Sequence, residues 1–302
     1  MNFLKKINPQ VFRIQTWGGL GDGLLITPLF KALKEKYPHS KIKVYYVNHL
    51  FKDIYFNNPY IDSAIKVRVW HLLFKRFFKV YDTHFQFIPP TFLAEKKHVK
   101  EIVADMFSVK LKDKRLQVYL TFEEEMAARE IMSQFKKPIC IHVTSRNSKY
   151  HVWAHENWEE LIRRMPEYTF IQLGQGDEYP IEGAVDFRGK TSVRSAIGMI
   201  KYAKFFVGIE ASLAHAANAT ETPTIVIFND SDIDAFGHKE HVNLHKPVAC
   251  APCYYLLWGQ NGCPYDAKCT KTITIDQVQE AILKLENKIF FQERVQLEEM
   301  LN

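Results

Sequence analysis

Val11–Thr16 is an apolar, partly β-branched run that enters the loop Trp17-Gly18-Gly19-Leu20-Gly21. Leu24, Leu25, Pro28, Leu29, Ala32 and Leu33 then recur at helical spacing. A strand that passes through a glycine turn into a helix is the opening unit of a parallel α/β fold, because parallel strands need a crossover to return. Pro38 closes that helix, and Ile42–Val47, Ala64–Val69 and Leu116–Leu120 read as further strands. Thr121–Lys136, with Glu123, Glu124 and Glu125 in its first turn, reads as a helix, and Lys136-Lys137-Pro138 as a hinge.

The alternation then starts again. Ile139–Val143, Thr169–Leu173, Ala184–Phe187, Phe205–Val207 and Thr224–Phe228 read as strands, and Trp158–Arg164, Val193–Tyr202 and Ala211–Ala219 as helices. Asp276–Glu299 reads as a long closing helix. The expected fold is α/β, with two Rossmann-like, doubly wound domains facing one cleft. Their expected bounds are 1–137, 138–275 and a closing helix over 276–302. In such folds the ligand lies outside the carboxyl ends of the strands.

The first glycine turn is neither of the common phosphate loops. A dinucleotide fingerprint starting at Gly19 needs a glycine where Leu24 stands, and a Walker loop ending at Gly23 needs lysine there. A nicotinamide dehydrogenase is disfavoured for the same reason. What the turn does is deliver Asp22 to a helix N-terminus at the cleft, as a helix cap or as a functional carboxylate. In the second half, Ser212 through His215 open a helix directly after a strand, so free backbone N–H groups and the helix dipole suit a diphosphate. His215 is either a donor to a phosphate oxygen or a helix histidine bonded to a carbonyl. Arg146 and Lys149 are either surface cations or the charges that neutralise a leaving diphosphate.

Gly21-Asp22-Gly23-Leu24-Leu25-Ile26-Thr27-Pro28-Leu29, followed by Ala32-Leu33-Lys34 and Tyr37-Pro38, resembles the N-terminal signature of glycosyltransferase family 9. Further blocks are similar and stand in the family's order. They are Asn57–Asp62, Thr144-Ser145-Arg146-Asn147-Ser148-Lys149 with Trp153 and Trp158, Gly189–Ser192, and Phe206–Ala217 with Thr222-Pro223-Thr224. The resemblance implies the GT-B architecture, with the acceptor on the first domain, the nucleotide-sugar on the second, and the closing helix packing back toward the first. It implies an inverting, metal-independent transfer of a heptose-like sugar from an ADP-heptose-like donor to a glycan, lipid-linked or protein acceptor, as in lipopolysaccharide and other bacterial surface-glycan synthesis.

By the same resemblance Asp22 is the general base, in a loop with Gly19, Gly21 and Gly23. Thr144, Ser145, Arg146, Lys149, Glu178, Glu210, Ser212, Leu213 and His215 hold the donor, with Glu178 on the nucleotide ribose. Two departures stand out: the family's usual Asp-Thr-Gly is Glu210-Ala211-Ser212 here, and the interval from Lys149 to Trp153 is long. The competing reading is a non-catalytic nucleotide-sugar-binding or assembly protein.

Residues 66–115 hold twelve Lys/Arg against five Asp/Glu, a local +7 in a chain of net +6. The patch suits anionic lipid, an acidic acceptor or nucleic acid, or is simply a solvated face. Within it Trp70, Phe74, Phe77 and Phe78 share one helical face, with Lys75, Arg76 and Lys79 elsewhere. That pattern fits either an interfacial helix or burial against the core. The start of the chain is too short in apolar residues for a secretory signal, and no window suits a membrane helix. A cytoplasmic protein, peripheral on the inner membrane face and without a nucleic-acid partner, is expected.

Cys250, Cys253, Cys263 and Cys269 lie at metal-ligand spacing in a loop rich in proline and glycine. A structural zinc or iron is the expected occupant, with free thiols or a disulfide pair as alternatives, and no cofactor is expected for catalysis. Cys140, inside a strand, reads as a core residue.

Overall fold

The structure is a computed structural model that describes residues 10–67, 80–83, 96–146, 148, 150–253 and 263–301, with side chains of the last helix described as far as Gln292. Trp70–Lys79, Asn147 and Lys149 lie outside the described residues.

The first sheet contains β1 (Val11–Thr16), β2 (Lys41–Tyr46), β3 (Ser63–Lys66) and β4 (Tyr81–Asp82), in the order β3-β2-β1-β4. The second contains β5 (Pro138–His142), β6 (Thr169–Gln172), β7 (Val185–Asp186), β8 (Phe205–Ile209), β9 (Thr224–Phe228) and β10 (Val242–His245), in the order β10-β9-β8-β5-β6-β7. Every pairing is parallel. Ile139 pairs with Phe205 on one side of β5 and Pro138 with Thr169 on the other, so the strand order reverses at β5. That reversal is the topological switch point at which doubly wound sheets bind ligands. All residues of β8 and β9 are buried, as expected for strands covered on both faces.

The helix expected after β1 is two helices, α1 (Leu20–Leu25) and α2 (Thr27–Lys36), with Ile26 between them. Pro28 explains the break: it has no N–H to donate and its ring excludes the carbonyl four residues back. The Thr27 hydroxyl donates instead to the Leu24 carbonyl at 2.7 Å.

Leu116–Leu120 forms no strand and pairs with none among the described residues. Side chains satisfy its backbone: Leu116 N donates to Asn218 Oδ1 at 2.9 Å and Gln117 N to Thr27 Oγ1 at 2.8 Å. The segment thus runs between the two halves rather than along a sheet.

α3 (Phe51–Tyr55) and α4 (Val99–Met106) cover the first sheet, and α5 (Phe122–Ser133) leads into the second. Thr121 and Glu124 form a reciprocal capping box at the start of α5. The second half carries α6 (His155–Arg164), α7 (Val193–Lys201), α8 (Ser212–Ala219), α9 (Ile233–Phe236) and the long α10 (Ile275–Leu301). Val278, Ala281 and Ile282 of α10 bury against Trp158, Leu161 and Ile225 in one apolar cluster. Arg194 of α7 ties the halves together. Its guanidinium meets Glu124 twice at 2.5 Å and donates to the carbonyls of Asp53 at 2.6 Å and Tyr119 at 2.7 Å. Among the described residues no helix is long and apolar enough to cross a membrane.

Candidate functional site

A cleft of about 940 Å³ opens at the carboxyl ends of strands from both sheets. From the first half it is lined by Gly19, Gly21 and Asp22, and from the second by Thr144, Ser145, Arg146, Glu178, Glu210, Ser212, Leu213 and His215. Surfaces far apart in sequence therefore share one space. Gly23 stands behind the wall, where an added β-carbon would lie 2.9 Å from the Phe51 ring. Lys149 lies outside the described residues.

Asp22 is the third residue of α1, not its cap. Its Oδ2 turns back to accept the Gly19 N–H at 2.6 Å, and Gly18, at φ +95°, leaves the space this needs. The carboxyl faces the cleft but is mostly surrounded by protein, and burial pushes its pKa up to about 6. The Gly19 N–H and the nearby His215 work the other way, and Glu210 adds to the rise. A carboxylate poised near 6 is largely ionised at neutral pH and still basic enough to take a proton.

Opposite Asp22, α8 is preceded at its cap position by Ala211, whose side chain offers no cap. The N–H groups of its first turn are the orphan donors of a helix start, and Ala211, Ser212 and Leu213 all face the cleft. Gly21 lets α1 approach this turn: a β-carbon there would lie 3.1 Å from the His215 ring and 3.6 Å from Ser212 Cα.

Glu210 is buried between His215 Nε2 at 3.4 Å and His151 Nδ1 at 3.7 Å, and His151 Nε2 lies 2.9 Å from Asp230 Oδ1. Burial opposes charge on Glu210, yet the hydrogen bond from His215 and the neighbouring His151 outweigh it and hold the carboxyl below its ordinary value. His151 answers in kind: burial lowers its pKa, but the Asp230 hydrogen bond and Glu210 raise it overall. Ser148 Oγ donates to Asp230 Oδ2 at 2.8 Å.

At the β6 end, Glu178 Oε1 accepts the Gln175 N–H at 2.8 Å and stands 3.8 Å from His142 Nε2. Burial opposes its charge too, and His142 first among its partners keeps the carboxyl below its ordinary value. Gly174, at φ +149°, is needed here because a β-carbon would lie 2.3 Å from Glu178 Oε2. Arg146 sits at the mouth and is held by both oxygens of Asp177 at 2.8–2.9 Å.

His142, His151 and Asp230, and with them Asn48, His49 and Asp53 on the wall contributed by the first half, were not expected from sequence. His151 falls inside the long Lys149–Trp153 interval, which was its one trace in the chain. A single histidine at the end of a strand carries no spacing signal at all.

The four cysteines stand outside the cleft and all are free. Cys253 N donates to the Asp230 carbonyl at 2.9 Å, and Cys263 N to the Tyr150 hydroxyl at 2.5 Å. Burial first, then the Asp230 carboxylate and the other cysteines, push the Cys253 thiol up to about 12 and the Cys269 thiol up to about 11. Among the described residues no three His, Cys, Asp or Glu side chains stand at metal-holding geometry. Cys140 is fully buried in β5, as a core residue should be.

Residues 98–254 match glycosyltransferase family 9 (heptosyltransferase). The autotransporter heptosyltransferase Aah of Escherichia coli is 25% identical over 194 residues, 56% of this chain and 48% of Aah. The match thus spans about half the length of that relative. A family 9 glycosyl transferase from Veillonella parvula superposes with a TM-score of 0.71 at 15% identity, covering 91% of this chain and 97% of its own. Escherichia coli ADP-heptose lps heptosyltransferase II gives 0.66 at 15%, covering 94% and 100%. The iron-containing dodecameric heptosyltransferase TibC, in complex with ADP-D-beta-D-heptose, gives 0.72 at 18%, covering 93% and 77%. TibC comes from enterotoxigenic Escherichia coli. At these identities the structures establish a shared fold.

Proposed function

The chain belongs to glycosyltransferase family 9, the heptosyltransferases, and we propose that it moves a heptose-like sugar from an ADP-activated donor to a hydroxyl of a glycan or protein acceptor. One observation carries this reading: a carboxylate tuned to about 6 and an uncapped helix N-terminus face each other across one cleft. The donor diphosphate would lie on the first turn of α8, and its ribose against Glu178. Asp22 takes the proton of the acceptor hydroxyl as that oxygen bonds to the anomeric carbon. The bond from that carbon to the diphosphate oxygen breaks, and the nucleoside diphosphate leaves with both electrons. Attack from the Asp22 side, opposite the leaving group, inverts the anomeric centre. The α8 N–H groups, with Arg146 and Lys149, would take up the departing charge.

Aah and TibC, by their names and descriptions, support the choice of heptose and ADP. The test is a thermal-shift screen of nucleotide-sugars followed by turnover with the best binder, because a ligand of the native state raises its apparent stability. ADP-heptose should raise the melting temperature most, and ADP should appear only when acceptor is present. A screen in which no nucleotide-sugar shifts the transition would defeat the reading, and binding without turnover would leave a carrier protein.

The four cysteines suit a tetrathiolate ion by type and by their spacing in the sequence. We propose that Cys250, Cys253, Cys263 and Cys269 hold a structural zinc or iron. Bound there, the ion would anchor the segment that carries Asp230 and take no part in sugar transfer.

A further inference from the structure

Behind the cleft wall His215 continues into a buried file of protonatable side chains that sugar transfer, as proposed above, leaves unused. His215 Nδ1 lies 2.8 Å from His238 Nε2, and His238 Nδ1 lies 3.3 Å from Lys100 Nζ. On the cleft side His215 Nε2 meets Glu210 Oε1 at 3.4 Å. Lys100 belongs to α4 in the first half, whereas His238 follows α9 in the second, so the file crosses between the halves. Each member is buried, Lys100 being only 5% exposed and His238 2%.

The hydrogen-bonding capacities allow two arrangements. With Lys100 as an ammonium, which can only donate, His238 must accept at Nδ1 and carry its proton on Nε2. His238 then donates to His215 Nδ1, and His215 carries its proton on Nε2, toward Glu210. One step along each bond gives the other arrangement. Lys100 loses a proton to His238 Nδ1, His238 loses one from Nε2 to His215 Nδ1, and His215 becomes an imidazolium. No proton enters or leaves, yet one positive charge has moved from α4 to the first turn of α8.

We propose that Lys100 and His238 form a proton relay that makes His215 an imidazolium when a nucleoside diphosphate occupies the start of α8. The proposal rests on the nucleotide-sugar reading of the cleft. As the bond to the anomeric carbon breaks, the diphosphate gains charge beside a newly cationic His215, and its release returns the proton to Lys100.

The surroundings suit such a relay. Burial brings Lys100 down to about 8, so its proton is less tightly held than an ordinary lysine's. Glu240 and Glu101 raise it, Lys114 lowers it, and Asp113 adds to the rise. Burial holds His238 well below the usual histidine value, so it passes a proton rather than keeping one. Burial likewise puts His98 near 2 and His241 near 3, and neither competes. His98 Nδ1 is already committed to the Lys100 N–H at 3.2 Å. Around His215 stand Glu210, with His151 and Asp230 behind it, and Asp22.

The test uses ¹⁵N-histidine-labelled full-length protein with ADP as the probe. Saturation with ADP should move both His215 ring nitrogens to imidazolium positions, while calorimetry in buffers of different ionisation heat should show almost no net proton uptake. In Lys100→Met, binding should draw roughly one proton from solvent or leave His215 neutral. His238→Gln keeps both hydrogen bonds, accepting from Lys100 and donating to His215, but cannot pass a proton. Its turnover number should fall about 10–100-fold with little change in donor KM. ADP that binds wild-type protein while the His215 nitrogens stay neutral would overturn the relay alone, as would wild-type turnover in His238→Gln. ADP that does not bind would overturn the nucleotide-sugar reading and the relay with it.

Discussion

A β-carbon on Gly18 would lie 2.2 Å from Oδ2 of Asp22, so the glycine is the mould in which the carboxylate is set. Gly18 also stands at φ +95°, a conformation that side chains resist. Gly18→Ala should therefore cost about 1 kcal/mol or more in stability and displace Asp22 from the Gly19 N–H. Denaturant midpoints and turnover should fall together, whereas donor affinity should hold if the donor lies on the other half, as proposed. A variant with normal turnover would show that Asp22 need not be held there.

Arg194 offers a test of how the two halves are joined. Its removal takes the guanidinium from the Glu124 carboxylate, leaving that group only the Thr121 N–H, and removes the Arg194 donors from two carbonyls, in a place where Arg194 is 7% exposed. A fully buried pair costs about 3–5 kcal/mol to break, and with Glu124 28% exposed Arg194→Met should cost less than that figure. A melting temperature within a degree or two of wild type would mean that the apolar contacts of α5 and α7 suffice.

Glu178 should report on the donor alone. Glu178→Gln keeps the oxygen that accepts the Gln175 N–H but gives up the charge that His142 faces. Donor KM should rise about tenfold with little change in turnover number, the pattern of lost ground-state binding. A fall in turnover at unchanged KM would place Glu178 in the chemistry instead.

The regular parts of the fold were legible because buried parallel strands leave continuous apolar runs, and β1 and β9 match their expected bounds to the residue. Elements governed by particular partners were not. Leu116–Leu120 has the composition of a strand, but its N–H groups go to Asn218 and Thr27, far away in sequence. β4 spans two residues and β10 alternates polar and apolar side chains at the sheet's edge, so neither leaves a run to find. In the cleft, glycine loops and helix starts announce themselves by spacing. The histidines do not, since His142, His151, His215 and His238 come together only through the fold.

The cysteine loop can be settled by elemental analysis of protein purified without chelator, which should contain about one zinc or iron per chain. Chelation should lower the melting temperature far more than it lowers turnover at a temperature where the protein stays folded. Metal-free protein of unchanged stability would leave four free thiols, as the structure draws them.

Asp22→Asn separates a base from a helix-starting group, since Asn keeps the shape and an oxygen for the Gly19 N–H but cannot take a proton. If Asp22 is the base, turnover should fall about 10²–10⁴-fold while donor affinity changes little. The wild-type kcat/KM should lose activity below about pH 6, as the carboxyl protonates, and the variant's residual rate should lack that limb. Stability should move in the opposite sense. The folded pKa lies above the ordinary 3.8, so the carboxyl favours the fold only when protonated; that contribution is complete below about 3.8 and is lost as pH rises through about 6. At pH 7 the ionised carboxylate therefore strains the fold by up to about 3 kcal/mol, less to the extent that the cleft keeps it in contact with water. Asp22→Asn should be more stable than wild type at pH 7 and should lose that advantage near pH 4. A variant that is both slower and less stable at pH 7 would show that the carboxylate holds α1 together instead of serving as a base.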